Sequence, residues 1–307
     1  MQGLVIQSTG SFYDVQINGQ QMVTCRLKGR LRLDDKKQTN PVAVGDLVEV
    51  EQDEKLNYQI AEVHPRRNYI IRSDTHRKHI KQVIAANIDQ TVVVASLRKP
   101  RTAYGFIDRV LLTSEVYDIP AVVIFNKHDL YDDKDNALLE ELMYGYKDAG
   151  YDCFSTSVTN REHVEEIYTV FHNKTSLITG PSGAGKSSLV NMIEPDLNLR
   201  IGEISKYTEK GQHTTTFARM HHLPHGGAVI DTPGIKEFGL VDIDAEEVSH
   251  FFPEMRNRIG TCRFNNCLHI NEDGCAIKDM LENGELSVQR YTSYFNFYHE
   301  IKEAQKW

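Results

Sequence analysis

Gly180-Pro181-Ser182-Gly183-Ala184-Gly185-Lys186-Ser187 fits the pattern G-x-x-x-x-G-K-[ST], and it constrains the fold more than any other stretch of the chain. Such a loop works only between a strand that delivers it and a helix that follows. Its glycines let backbone N–H groups turn inward at a helix N-terminus and cradle phosphates. The flanks agree: Ser176 to Thr179 is an apolar run, and Ser188 to Ile193 reads as helix. Residues Gly180 through Ser188 would hold the phosphates. Lys186 would supply charge to the β- and γ-phosphates, and the Ser187 hydroxyl would sit on Mg²⁺. Other continuous apolar runs, Thr91 to Ala95 and Pro120 to Phe125, suit buried parallel strands. With helical stretches at Phe106 to Val116 and Asn136 to Asp148, the central region predicts an α/β sheet with helices on both faces. By itself the loop implies a nucleoside triphosphate and leaves the base open.

A second motif selects the base. Asn126-Lys127-His128-Asp129 follows the apolar run ending at Phe125. A carboxylate at Asp129 can accept from both the ring N–H and the exocyclic amine of guanine. Adenine presents the opposite edge and would leave it unpaired. Ser155-Thr156-Ser157 falls where a second base loop is expected, with a backbone N–H near Thr156 meeting the guanine carbonyl. Ser155 and Thr156 are the candidates there, although the usual Ser-Ala-Lys is matched only loosely.

Two further segments suit a nucleotide switch. Asp231-Thr-Pro-Gly234 follows the apolar run Ala228 to Ile230. Asp231 would hold Mg²⁺ through water, and the Gly234 N–H would reach the γ-phosphate. Upstream, Gly211-Gln-His213-Thr214-Thr215-Thr216 offers a threonine for Mg²⁺, with Thr214 and Thr215 as the candidates. The position after Gly234, often a water-orienting Gln, is Ile235. His213 is the internal residue able to orient that water.

The ends of the chain differ from its middle. Residues 1–65 read as short alternating strands with a hairpin signal at Asn18-Gly19, which predicts an OB-type β-barrel. Residues 66–82 form a basic connector, 83–238 the nucleotide-binding domain, and 239–307 a helical domain carrying cysteines. That last segment holds Cys262-x₄-Cys267-x-His269-x₅-Cys275, the Cys₃His set of a structural Zn²⁺ site. Five cysteines, three of them in this cluster, suit metal better than a disulfide framework. Cys25 and Cys153 lie in strand-like runs as core residues. The net charge of −8 opposes non-specific binding of nucleic acid by the whole molecule. Residues 1–82, however, hold 13 Lys and Arg against 10 Asp and Glu, so a basic face is available there. No run reaches the roughly 18 apolar residues of a membrane span, and no secretory leader is apparent. A cytoplasmic protein without membrane contact is expected.

The order of the motifs is unusual. Conventional GTPases run phosphate loop, switch threonine, D-x-x-G, N-K-x-D and Ser-Ala loop. Here Asn126-Lys-His-Asp and Ser155 precede the phosphate loop, and His213-Thr-Thr-Thr and Asp231-Thr-Pro-Gly follow it. With a barrel before and a Cys/His cluster after, the chain resembles, over nearly its full length, the ribosome small-subunit-dependent GTPase A family (RsgA/YjeQ/YloQ) of circularly permuted GTPases. The resemblance implies a late assembly factor, expected to be a monomer although the sequence does not fix the oligomeric state, that binds the small ribosomal subunit and its rRNA. It would hydrolyse GTP to GDP with Mg²⁺ when bound there, and would carry one structural Zn²⁺ on Cys262, Cys267, His269 and Cys275. Two other functions share parts of this pattern. A P-loop kinase or ATPase would share the phosphate loop, and Asn126-Lys-His-Asp opposes it. A pure RNA-binding module would rest on the basic residues Arg26, Lys28, Arg30, Arg32, Lys36 and Lys37.

Overall fold

The computed structural model of the chain describes residues 1–29, 41–73, 81–197, 199, 218–231, 240 and 243–305. The first five strands are β1 (Gln2–Ser8), β2 (Tyr13–Ile17), β3 (Gln21–Leu27), β4 (Leu47–Gln52) and β5 (Tyr58–Val63). They alternate as half-buried strands must: Tyr13, Val15 and Ile17 point inward on β2, and Val23 and Cys25 on β3. Asn18 and Gly19 both take positive φ, 52° and 76°, which matches the twist a tight hairpin needs. The strand order β1-β2-β3-β5-β4 closes by pairing β4 back onto β1, with β3 and β5 parallel. This is a five-stranded barrel of OB type, packed around Val5, Tyr13, Val15, Val48 and Ile60.

The described parts of the basic stretch after the barrel include strand residues. β6 (Tyr69–Ser73) and β7 (Lys81–Ala86) form an antiparallel pair. Two of its arginines serve structural ends. Arg66 places Nε 2.7 Å from Oδ1 and Nη2 2.8 Å from Oδ2 of the buried Asp46, and Arg67 pairs with Asp89 at 2.6 Å.

The central sheet follows: β8 (Gln90–Ala95), α1 (Tyr104–Val116), β9 (Ala121–Phe125), α2 (Asp133–Asp148), β10 (Asp152–Ser155), α3 (Val164–Phe171), β11 (Thr175–Thr179), α4 (Lys186–Ile193), β12 (Arg219–His222) and β13 (Ala228–Asp231). The order is β10-β9-β8-β11-β13-β12, parallel except for β12. Both faces are covered, so every residue of β8 is buried. Val93, Ala95, Val123, Phe125 and Leu177 face a core shared with α1 and α2. Val92, Val94, Val122, Ile124 and Ile178 face α3 and α4. The edge strand β12 pairs antiparallel with β1, Gln7 opposite Arg219, so barrel and central domain share one sheet.

Among its described residues, the C-terminal domain comprises a 3₁₀ segment, Ala245–Phe251, and three helices, α5 (Pro253–Arg256), α6 (Ala276–Glu282) and α7 (Val288–Ala304). Its core of Val248, Phe252, Met255, Tyr294, Phe297 and Tyr298 extends to Leu112 of α1. A buried ion triad crosses the junction. Arg290 on α7 donates to Asp108 on α1 at 2.8 Å, and to both oxygens of Glu254 at 2.7 and 3.2 Å. Its guanidinium also lies 4.5 Å from the Phe252 ring centroid.

Candidate functional site

The phosphate loop leaves β11 and enters α4 at the centre of the sheet. Its glycines are required by contact as well as by conformation. Gly180 has φ of 152°, and a Cβ there would lie 2.2 Å from the Val94 carbonyl oxygen of β8. Gly185 caps α4 at φ of 98°, where a Cβ would lie 2.2 Å from Asn126 Nδ2. Lys186 is buried and donates to the carbonyls of Gly180 at 2.7 Å and Pro181 at 3.0 Å. Burial pushes its ammonium down to about 8, while the nearby Asp231 carboxylate pulls the other way. Ser187 is also buried, in the first turn of α4, and Asp231 ends the neighbouring β13. Lys186, Ser187 and Asp231 therefore gather at the carboxyl ends of adjacent parallel strands, the ligand side of an α/β sheet.

Asn126 joins the base loop to the phosphate loop. Its Nδ2 donates to the Ala184 carbonyl at 2.9 Å, and its Oδ1 accepts from the Lys127 N–H at 2.7 Å. Lys127 takes a left-handed conformation, φ 70°, which carries the chain into the 3₁₀ turn His128–Leu130. The Lys127 ammonium reaches the Lys99 carbonyl, and burial lowers its pKa below the ordinary lysine value. Asp129 is exposed, and one of its oxygens accepts from the Ser157 hydroxyl at 2.5 Å.

In the stretch expected to form a second base loop, Ser155 and Thr156 differ from the two residues that follow. Ser155 ends β10 opposite Phe125, and the N–H of the fully buried Thr156 donates to the Phe125 carbonyl at 2.9 Å. That N–H is committed to extending the sheet and cannot meet a guanine carbonyl. Ser157 and Val158 instead face the base motif, Ser157 on Asp129 and the Val158 N–H 3.4 Å from Asn126 Oδ1. The His128 ring is turned away from Asp129, toward Glu162 and Asn136. His213, Thr214, Thr215, Thr216, Gly234 and Ile235 lie outside the described residues.

In the C-terminal domain, Cys262, Cys267, His269 and Cys275 converge. Their ligand atoms all lie within 4.8 Å of one another, and His269 Nδ1 is 3.5 Å from Cys262 Sγ and 3.4 Å from Cys275 Sγ. A tetrahedral zinc with bonds of about 2.0–2.3 Å separates its ligands by about 3.5–3.8 Å, so the set fits that ion. Burial holds His269 below the usual imidazole range, in the neutral form a metal prefers. Burial and the neighbouring thiols push Cys267 up to about 12, a crowding that a divalent cation relieves. Second contacts hold the loop: the Tyr291 hydroxyl donates to the His269 carbonyl at 2.8 Å. Glu272 accepts from the Leu268, Ile270 and Asn271 N–H groups. The other two thiols are core groups, Cys25 pushed by burial up to about 11 and Cys153 to about 12.

Comparison with known proteins agrees with this architecture. Residues 63–241 match the family described as RsgA GTPase, and residues 2–57 match the RsgA N-terminal domain. A Christiangramia forsetii protein named small ribosomal subunit biogenesis GTPase RsgA is 46% identical over 96% of this chain and 94% of its own. A Bacteroides fragilis protein of the same name is 41% identical over 99% and 98%. The crystal structure of YjeQ from Thermotoga maritima has a TM-score of 0.76 and 31% identity over 98% of both chains. That of YloQ, described as a circularly permuted GTPase, has a TM-score of 0.73 and 30% identity over 99% of this chain and 95% of its own. With the base motif preceding the phosphate loop on one parallel sheet, these matches show that the chain belongs to the RsgA GTPase family and is a circularly permuted GTP hydrolase.

Proposed function

We propose that the protein binds the small ribosomal subunit during its late maturation in the cytoplasm and hydrolyses GTP there, with stimulation by the subunit. The observation that carries the site is the Asn126–Ala184 bond, which brings base loop and phosphate loop together. In this reading Lys186 neutralises the β- and γ-phosphates. Ser187, Asp231 and one of Thr214 or Thr215 hold Mg²⁺, which would stabilise charge on the transferring phosphoryl group. Asn126 braces the loops, and the Lys127 stem covers the base. Asp129 accepts from the guanine ring N–H and amine, and the Val158 N–H exchanges its long 3.4 Å bond to Asn126 Oδ1 for the guanine carbonyl. Cys262, Cys267, His269 and Cys275 hold a structural Zn²⁺, since four protein ligands leave no position open for chemistry.

Two connections support coupling to a partner. β12, which follows the Gly211–Thr216 segment in the chain, is hydrogen-bonded into the barrel through β1. β13 leads through residues 232–239 into the C-terminal domain. Ile235 cannot orient water, so a partner that orders His213 would raise the rate. Competition of labelled GTP by ATP, with co-sedimentation on isolated small subunits, tests the proposal. GTP preference with subunit binding is expected; equal competition by ATP, or no co-sedimentation, contradicts it.

A further inference from the structure

Glu162 lies outside every nucleotide motif, yet it closes a ring of hydrogen bonds around the base motif. Its Oε2 is 3.1 Å from His128 Nδ1, and its Oε1 accepts from Asn160 Nδ2 at 3.0 Å. The Asn160 N–H donates to Ser157 Oγ at 3.1 Å, and that hydroxyl donates to Asp129 Oδ1 at 2.5 Å. Asp129 adjoins His128 in the chain, so the ring is complete. The backbone of Glu162 adds two struts. Its carbonyl accepts from Thr156 Oγ1 at 2.6 Å, and its N–H donates to the Ser157 carbonyl at 3.0 Å. On the far side His128 Nε2 is 3.1 Å from Asn136 Oδ1 on α2.

We propose that Glu162 is a positioning residue for guanine selection, holding the Asp129 carboxylate at the angle that lets it accept from two guanine donors at once. The proposal rests on the reading that Asp129 contacts the base. Asp129 is exposed on a 3₁₀ turn of three residues, where a carboxylate otherwise rotates freely and must be ordered on binding. Fixing one oxygen through Ser157 sets the plane of the carboxylate and so aims the other. The ring N–H and exocyclic amine of guanine then meet two aligned acceptors, and a base lacking the exocyclic amine leaves one acceptor unpaired. Pre-organisation therefore shows in the ratio between those two bases more than in affinity for either.

Inosine diphosphate, which lacks that amine, is the probe. Affinities of the full-length protein for GDP, inosine diphosphate and ADP are compared in the parent, Glu162→Ala, Glu162→Gln and Asp129→Asn. Glu162→Ala is expected to lower the ratio of GDP to inosine diphosphate affinity about tenfold, with ADP affinity unchanged. Glu162→Gln, which keeps one acceptor oxygen, should fall between. Should Glu162→Ala not fold, Asn160→Ala removes a single link and should lower the ratio about threefold. If Asp129→Asn erases the preference while the Glu162 variants keep the parent ratio, the clamp is wrong and the base assignment stands. A parent protein that binds both nucleotides equally overturns the base assignment and the clamp with it.

Discussion

Asn126 donates from its side-chain amide to the Ala184 carbonyl, 2.9 Å away and 58 residues along the chain. In a conventional order these loops would be joined the other way round. The bond forms because both loops leave the carboxyl ends of strands in one parallel sheet, β9 and β11, with only β8 between them. Permuting the connections leaves the strand order, and so the loop positions, unchanged.

Asn126→Ala removes that brace and leaves the buried Ala184 carbonyl and the Lys127 N–H without this partner. Losing such bonds costs about 1–3 kcal/mol. GDP affinity by titration calorimetry should fall roughly tenfold to a hundredfold; unchanged affinity would mean the loops hold their positions independently.

Lys186 sets stability against function. Burial lowers its pKa to about 8, below that of an unfolded lysine, so the unfolded chain binds more protons between about pH 8 and 10. The folded state is penalised most below pH 8, and the penalty fades as pH rises through that window. Lys186→Met should therefore be more stable than the nucleotide-free parent by about 1–2 kcal/mol at pH 7, after allowance for the Gly180 and Pro181 carbonyls it leaves bare. That advantage should shrink by pH 10, and nucleotide binding should be lost. Denaturant melts at pH 7 and pH 10 check the sign.

Zinc removal should act locally. The Cys262–Cys275 loop is held by four convergent ligands and by contacts to α7, whereas the central sheet has its own core. Chelation, or Cys267→Ser, should expose the stretch 259–275 to protease while GDP binding persists. Elemental analysis of freshly purified protein should find one zinc per chain, and finding none would remove the site.

Arg290 is nearly fully buried between Asp108 and Glu254. Arg290→Met strands two buried carboxylates, and breaking such a group costs about 3–5 kcal/mol. The C-terminal domain should then melt ahead of the central domain, seen as a second transition in calorimetry. A single transition at the parent temperature would show that the apolar contacts alone hold the junction.

Strands and the phosphate loop were legible in the sequence because their signals are local. The apolar runs at 91–95 and 121–125 became β8 and β9, and the Asn18-Gly19 turn formed as expected. The strands β5, β6 and β7 carry mixed polar and charged residues, so the stretch 66–82 reads as a connector although residues 69–73 pair with 81–86. Within the Ser155-Thr156-Ser157 stretch the sequence does not show which residues face the base motif; Ser157 and Val158 contact it. Thr156 resembles a site residue in sequence, but it directly follows β10 and its N–H bonds the Phe125 carbonyl. The contacts of Glu162 and Arg290 span 34 and 182 residues and leave no local pattern to find.

GTP hydrolysis measured with and without small ribosomal subunits decides whether the subunit activates the enzyme. Ile235 occupies the position of the water-orienting Gln, so the isolated protein should turn over slowly. Adding subunits should raise the rate at least roughly a hundredfold, about 2.7 kcal/mol of barrier. His213→Ala should bind GTP and subunits normally yet lose most of that increase. Full stimulation of His213→Ala would move the water-orienting role to the subunit. A parent protein whose rate is the same with and without subunits would show that docking does not drive hydrolysis.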